Sequence, residues 1–489
     1  MSKIIIQNGN MCELDIPLKY AQKLYNEFAI RHPNAFYLRT RQRGMQNWDG
    51  KIHYITKTGQ FKIGLLPKVY DMCIEMGIKP KVVDMRQPLP KVSKVVTKIG
   101  KYQLRPEQEK AVKAVINNKI GNTPFHIGVL DYTVNAGKTL IMSSLYLSYK
   151  KQLKTLLITN DSDWLNQARE EFKQYLPGED ITFVQGKVLN WSNFTIGMVQ
   201  SISRNMRFYQ KELSQIDMVL VDEADQGGSK QYQNVITRLF NTRIRIGLSG
   251  TIYMSKLAKD KVKNMNLECF FGKVIAEFKL KDSIKKGYST KTVVKMVPGK
   301  PWYGNWESDC ISYKEIYDDS ITNCYTAWLM AYNRLLWNLN QGRYPALVVC
   351  KHIAHCENLY KFFKKKLGDA YNIAYVHVNT KSKLRQQIMK DFRDGKIDIL
   401  VSTTIIARGK NFPKLRYLLN AASMDSQEKS IQFLGRLVRT DKSKKKVYLD
   451  DLHYPGNYLD RHGKHRKQYY QRQELKVILL DKLLREALD

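Results

Sequence analysis

The 489-residue chain carries 81 Lys and Arg against 45 Asp and Glu, a formal charge of +36, and is 43% apolar. That apolar content can build real cores and excludes wholesale disorder, while the charge exceeds what solubility requires and points to a polyanion, inside a cell most commonly nucleic acid. At roughly 100–200 residues per domain, three or four domains are expected.

The start, Met1-Ser2-Lys3-Ile4-Ile5-Ile6, lacks the long apolar stretch of a secretory leader, and no run of 18 apolar residues suggests a membrane span. Seven scattered cysteines without a Cys-x-x-Cys pair read as reduced thiols. The expected location is therefore the cytoplasm, with no membrane partner.

In chain order, residues 1–100 hold 17 Lys/Arg and 7 Asp/Glu and read as a small α+β module. Ile4 to Ile6 suggest a strand, and Leu18, Ala21, Leu24, Tyr25 and Phe28 an amphipathic helix. Phe36 to Arg39 and Lys51 to Thr56 look like strands, the second turning at Thr58-Gly59 into Phe61 to Ile63. A helix from about Pro67 to Met76 and a strand at Val82-Val83 complete the module, and Pro88 and Pro90 mark a linker.

From about Gly100, apolar β runs alternate with helices: Leu156 to Ile158, Ile196 to Val199, Met218 to Val221 and Ile244 to Leu248. The rhythm signals a parallel sheet covered on both faces. It pauses between Lys291 and Asn323, where Trp302 and Trp306 lie in a segment that reads equally as a strand-separating pin or a capped surface hairpin. It resumes at Ala346 to Val349, Ile373 to Val376, Ile397 to Val401, Tyr417 to Leu419 and Val447 to Leu449. Residues 461–476, with six Lys/Arg against one Glu, lead into an apolar-periodic helix from Val477 to Leu488.

The sharpest local feature is Thr133-Val134-Asn135-Ala136-Gly137-Lys138-Thr139, between a strand ending near Leu130 and a helix. A phosphate loop needs backbone N–H groups converging at a helix N-terminus, a lysine for the terminal phosphates and a hydroxyl for Mg²⁺. Gly137, Lys138 and Thr139 supply these in order, while Tyr132 stands where the first glycine of the usual pattern belongs. Further on, Met218 to Val221 ends in Asp222-Glu223-Ala224-Asp225. Carboxylates at the end of a buried strand are costly unless they serve a cation or water. Asp222 would hold Mg²⁺ through water and Glu223 would act as general base toward the attacking water.

These two motifs resemble Walker A and Walker B of the superfamily 2 helicases, and further stretches resemble that superfamily in the right order between Leu104 and Arg439. Leu104 to Gln108 resembles the upstream adenine-recognising motif, with Gln108 as its glutamine. Gln200-Ser201 looks like a strand-contacting motif, and Ser249-Gly250-Thr251 like the motif coupling hydrolysis to nucleic acid. Thr403 to Pro413, with Ala407-Arg408-Gly409, resembles motif V, and Gln432-Phe433-Leu434-Gly435-Arg436-Leu437-Val438-Arg439 matches QxxGRxxR of motif VI. Asn135 replaces a small residue and Asn411 the usual motif V aspartate. The basic front module, with Arg41, Arg43 and Asn47 to Lys51, is similar to that of the branched-DNA recombination and repair helicases of T-even bacteriophages.

The resemblance implies an α/β protein with two tandem RecA-like parallel-sheet domains preceded by a small α+β DNA-binding domain. The expected boundaries are 1–95, 96–290 and 291–455, with a basic helical tail over 456–489. It implies ATP and Mg²⁺ as cofactors. The nucleotide would be held by Gln108, by Tyr132, Thr133, Val134, Asn135, Ala136, Gly137, Lys138 and Thr139 of the loop, and by Gly409; the metal would be held by Thr139 and Asp222. The catalytic set is Lys138, Asp222, Glu223, Gln432, Arg436 and Arg439, the two arginines sharing a helical face at i and i+3 as arginine fingers. The implied activity is ATP-dependent helicase or translocase action on branched DNA such as forks, Holliday junctions, D-loops or R-loops. It would serve recombination, repair and branch migration, with 3′ to 5′ polarity and as a monomer, and RNA would be met within R-loops. An RNA helicase and a non-enzymatic annealing protein are the competing readings.

Nucleic-acid contacts are expected from Arg39, Arg41, Arg43, Lys51, Gln200 and Thr403. Trp48 has two readings, a ring stacking on an exposed base or a core aromatic beside an Asp49-Gly50 turn. Cys350, His352, His355 and Cys356 suggest zinc, but ligands divided between a strand and the next helix do not converge tetrahedrally, and no zinc is expected. His462 and His465, in the basic tail, are expected to face solvent or phosphate.

Overall fold

A computed structural model describes residues 2–42, 44–149, 152–186, 188–252, 258–299, 312–407 and 412–480. Two compact units divide the chain by backbone contacts, Met1–Tyr132 with Ala136–Phe278, and Thr133–Asn135 with Lys279–Asp489. Arg43, Trp302, Trp306, Arg408, Gly409, Asn411 and residues 481–489 lie outside the described residues.

In the first unit, Ile4 and Ile6 alternate with half-exposed neighbours along strand Lys3–Ile6, the period-2 signature of a half-buried strand. It pairs antiparallel with Met11–Asp15 and parallel with Lys81–Asp84, and Gln60–Lys62 completes a four-stranded sheet. Helices Leu18–Glu27 and Leu66–Glu75 accompany this sheet. A short ribbon of Ala29–Arg31 and Lys51–His53 flanks helix Ala35–Arg41. The strand expected over Phe36 to Arg39 is thus a helix. Phe36-Tyr37-Leu38 is too short an apolar run for periodicity to distinguish the two.

This module is anchored to the larger sheet beside it. Arg245, fully buried, donates to the Gly9 carbonyl at 2.6 Å, Asn10 Oδ1 at 2.8 Å and the Phe270 carbonyl at 3.2 Å. Gly9 N–H donates to the Phe240 carbonyl at 2.6 Å.

The larger sheet of the first unit has eight described strands, in the order Val188–Leu189, Ile181–Gln185, Phe194–Met198, Thr155–Thr159, Met218–Asp222, Ile244–Ser249, His126–Tyr132, Val274–Phe278. All run parallel except Val188–Leu189, which folds back on its neighbour. Every residue of Thr155–Thr159, Met218–Asp222 and Ile244–Ser249 is buried, as helices on both faces require.

The second unit's sheet has seven described strands, all parallel: Ile373–Val376, Ile399–Thr403, Ala346–Cys350, Tyr417–Asn420, Lys446–His453, Lys291–Pro298, Val477–Leu479. Two expectations are corrected here. Lys291–Pro298, placed in a pause of the β rhythm, is an eight-residue strand, and Val477–Leu479, expected to open a helix, is a strand beside it.

Successive strand residues face opposite sides, so Asp450 and Asp451 of Lys446–His453 enter different cores. Each meets an arginine from the helix on its own side. Arg334 of Tyr325–Asn340 lies 2.6 Å from Asp450, and Arg466 of Asn457–Arg472 lies 2.8 Å from Asp451. Tyr417 and Tyr470 hydroxyls donate to the same two carboxylates. The two sheets are tandem RecA-like domains of an α/β chain, and among the described residues no helix is long and apolar enough to cross a membrane.

Candidate nucleotide and nucleic-acid sites

Strand His126–Tyr132 leads through the loop into helix Lys138–Ser148. The loop reverses on two left-handed residues, Gly137 at φ +72° and Asn135 at φ +64°. A Cβ at 137 would stand 2.3 Å from Gln108 Nε2, so only glycine fits there. Asn135, the departure noted in the sequence, occupies a conformation that asparagine tolerates better than most residues.

Gln108, 1% exposed, ties this loop to the upstream helix Pro106–Ile116. Its Oε1 accepts from Arg105 N–H at 2.9 Å and its Nε2 donates to the Ala136 carbonyl at 2.8 Å. Tyr132 does the same from below. Its ring is fully buried and its hydroxyl donates to the Glu107 carbonyl at 2.7 Å, with burial raising its pKa. In this structure both side chains shape the loop through backbone groups.

Lys138 Nζ reaches within 3.6 Å of Asp222 Oδ1. Burial works against the lysine's charge, but the carboxylates of Glu223, Asp222 and Asp225 outweigh it and hold the ammonium above the usual lysine range. Burial raises the Asp222 carboxyl, Lys138 opposing and Glu223 adding to the effect. Glu223 follows at φ +52°, ψ +52°, a left-handed conformation rare for glutamate. Strain of this kind concentrates where function demands a side-chain direction.

Strand Ile244–Ser249 lies between the strands bearing the loop and the acidic pair. At its carboxyl end Ser249 Oγ donates to the fully buried Asp225 at 3.0 Å and accepts from Thr251 N–H at 3.1 Å. That single hydroxyl proton is used on Asp225, so the Thr251 hydroxyl donates to Ser249 across 3.1 Å. The acidic box and the Ser-Gly-Thr segment are thus wired together. Thr133, Val134, Ala136 and Thr139 lie in or next to the loop, Ala136 fully buried.

Gln200, on helix Val199–Arg204, is half-buried and donates to the Asn160 carbonyl at 3.5 Å, while Asn160 Nδ2 donates to Gln226 Oε1. Asn160 escaped the sequence reading. The available signal was its position, a polar residue directly after the apolar strand Thr155–Thr159.

In the second unit Thr403 ends strand Ile399–Thr403 and is buried. Gln432, also buried, donates to Glu428 Oε1 at 3.2 Å within helix Gln427–Leu437. Arg436 is on that helix, but Arg439 lies beyond its end, so the two do not share a helical face as expected. Thr290 fixes the segment, its N–H donating to the Val438 carbonyl at 2.8 Å and its hydroxyl to the Arg439 carbonyl at 3.1 Å.

Cys350 ends a strand, and His355 and Cys356 lie buried on the following helix Ile353–Leu367. His355 Nδ1 lies 3.2 Å from the Tyr317 hydroxyl. His462 is buried and His465 lies 3.0 Å from Asp425, so the tail histidines face protein.

In the front module Arg39, Arg41 and Lys51 are exposed. Trp48 is half-buried, its Nε1 donating to the Lys51 carbonyl at 2.9 Å and its ring edge-on to His32, the arrangement of a packed aromatic.

Residues 101–254 match the family description of the type III restriction enzyme res subunit, and residues 329–441 that of the helicase conserved C-terminal domain. With these two matches in this order, the chain resembles the superfamily 2 helicases. The crystal structure of T4 UvsW is 18% identical and aligns over 98% of each chain with a TM-score of 0.45.

An HsdR fragment of a type I restriction enzyme from Vibrio vulnificus is 14% identical over 77% of this chain and 67% of that one, with a TM-score of 0.55. Saccharomyces cerevisiae Dbp5 bound to RNA is 13% identical over 79% and 92%, with a TM-score of 0.51. Among curated relatives, putative helicase 22 of a Sulfolobus islandicus filamentous virus is 23% identical over 72% of this chain and 64% of that protein. The chain thus spans less than two thirds of the length of that relative.

Proposed function

We propose that the chain is an ATP-dependent DNA helicase or translocase that acts on branched DNA (forks, Holliday junctions, D-loops or R-loops) in recombination, repair or replication restart, moving 3′ to 5′. One observation carries the reading. At the carboxyl ends of parallel strands, Lys138 stands 3.6 Å from Asp222, and the next residue, Glu223, is held in left-handed backbone beside them. Ligands of open α/β sheets bind at this edge.

The donor set fits Mg²⁺. Among the described residues Asp222 Oδ1 is buried and accepts no hydrogen bond, facing the Lys138 ammonium at 3.6 Å, and the Thr139 hydroxyl adds a second hard oxygen in the neighbouring loop. When bound, the metal neutralises charge on the phosphates. Lys138 contacts the terminal phosphates, backbone N–H groups around Gly137 cradle them, and Glu223 takes the proton of the attacking water. Arg436 and Arg439 complete the proposed catalytic set. Asp225, Ser249 and Thr251 pass a change at the acidic box to the next strand end, where coupling to nucleic acid begins.

The formal charge of +36 favours nucleic acid of either kind, and the resemblance of the basic front module to that of the branched-DNA helicases favours DNA. RNA remains the second reading, since an RNA-bound helicase is among the similar folds. The deciding experiment measures phosphate release and strand displacement on forked, three-way and four-way DNA and on structured RNA, with Lys138→Ala as control. DNA-stimulated release that this variant loses by roughly 10²–10³-fold, with DNA affinity retained, is the expected result. No release with any nucleic acid would overturn the reading, and stimulation by RNA alone would move it to the second.

A further inference from the structure

Folding of Ala35–Arg41 as a helix leaves Phe36 80% exposed and Tyr37 54% exposed, with Ala35 buried beneath them. Beside Phe36 lies a cleft of about 410 Å³, lined also by Arg31, Arg39, Thr40, Gln46 and Asp49. Its volume falls within the roughly 300–1,000 Å³ typical of small-ligand clefts. Gly50 borders the cleft and explains its depth. At φ +78°, its absent Cβ would stand 3.2 Å from Ala35 Cβ, so two small residues meet where larger ones would fill the space.

An aromatic ring in water flanked by guanidinium groups has no role in the module's own core. That core is built from Ile4, Ile6, Leu24, Phe28, Phe61 and Val69. Trp48, the ring singled out from sequence, already has its N–H engaged by the Lys51 carbonyl. The combination matches what unpaired nucleotides offer, a π-face for stacking and a phosphate for a cation. A paired duplex hides its base faces and presents phosphates and groove edges, and the exposed Arg41 and Lys51 can meet its phosphates without a cleft.

We propose that this cleft binds one unpaired nucleotide at the branch point of DNA. The base stacks on Phe36, Arg31 and Arg39 take its phosphate, and Gln46 presents its amide to the base edge, while the Thr40 hydroxyl is committed to the Phe36 and Tyr37 carbonyls and the Asp49 carboxylate to Lys51 N–H and His53. The cleft thus distinguishes a branch from plain duplex. The inference rests on the branched-DNA reading above and narrows it to one feature of the substrate.

The test uses the full chain and fluorescence anisotropy, comparing a fork that carries an unpaired base at its junction with linear duplex of the same sequence. Because the ring lies in solvent, Phe36→Ala is expected to keep the parent's thermal midpoint and DNA-independent ATP hydrolysis. It should bind the fork roughly tenfold more weakly, with duplex affinity within twofold, and Phe36→Trp should restore fork binding. 2-Aminopurine at the unpaired position should be quenched by the parent and by Phe36→Trp, but not by Phe36→Ala. Fork affinity and quenching unaltered in Phe36→Ala, or equal losses on fork and duplex, would overturn the proposal. Failure of the motor reading shows separately, as absent phosphate release by the parent, whereas failure of the cleft leaves that release intact.

Discussion

Glu223 couples backbone geometry to chemistry at a single position. A left-handed L-residue costs about 1–2 kcal/mol relative to its ordinary conformations, and glycine escapes most of it. Glu223→Gly is therefore expected to match or exceed the parent in stability while losing ATP hydrolysis, and Glu223→Gln to lose hydrolysis with stability unchanged. Thermal midpoints beside phosphate release read both, and a large destabilisation of the glycine variant would show that the backbone is not strained. Arg439 offers a second single-residue test. Thr290 holds its carbonyl, a contact that Arg439→Ala retains, and this variant should bind nucleotide but lose hydrolysis; equal loss of binding and turnover would make the arginine a structural group. The placement of these residues on a loop and at a strand end was legible from residue type and spacing, because Gly-Lys-Thr and Asp-Glu are local patterns. The burial of Tyr132 and the commitment of Gln108 to backbone were not, because each depends on a partner from another element.

At the scale of elements, strands with long apolar runs were readable and three-residue runs were not. Met218–Asp222 is buried on both faces and could be only a strand or a core helix, and its length decided. Phe36-Tyr37-Leu38 and Val477-Ile478-Leu479 satisfy either period, and packing rather than sequence settled them, one as helix and one as strand. Close approach between elements was equally hidden. Gly64 sits where a Cβ would come within 2.1 Å of the Glu268 carbonyl and 2.6 Å of the Cys269 carbonyl of helix Ala258–Phe271. Gly64→Ala must push backbone against backbone, with an expected cost of about 1–3 kcal/mol. Thermal unfolding should show a midpoint several degrees lower, and limited proteolysis faster cleavage around residues 60–70. An unshifted midpoint would mean that the turn and helix separate freely.

Across the whole molecule, buried neutral histidines set a pH dependence. Burial lowers His355 to about 3 and His462 to about 4, and it also lowers His126, whose Nδ1 lies 2.8 Å from the Val115 carbonyl. The Tyr317 hydroxyl donates to the Ala422 carbonyl at 3.1 Å, so His355 Nδ1 must be the protonated donor toward Tyr317 in a neutral ring. Unfolded histidine titrates near 6.5, so the unfolded chain binds protons first as pH falls. Stability is full above about 6.5 and declines below it, by about 2 kcal/mol from His355 alone at pH 5. Denaturant midpoints at pH 7 and pH 5 should show this decline, and His355→Gln should flatten it. A stability independent of pH over that range would mean that His355 is solvated and charged.

The sequence by itself determined which residue types stand at the strand ends, the alternation of apolar runs that makes two parallel sheets, and the strong excess of basic charge. Those features depend on residues within a few positions of one another, where backbone conformation and burial period act directly. Only the tertiary structure decided which strand ends stand side by side and which arginine from a distant helix neutralises Asp450 or Asp451. It also decided that Phe36 stands in water while Trp48 is half-buried. Each of those outcomes is fixed by sheet order and by packing between segments far apart in the chain, and no local pattern encodes such adjacency.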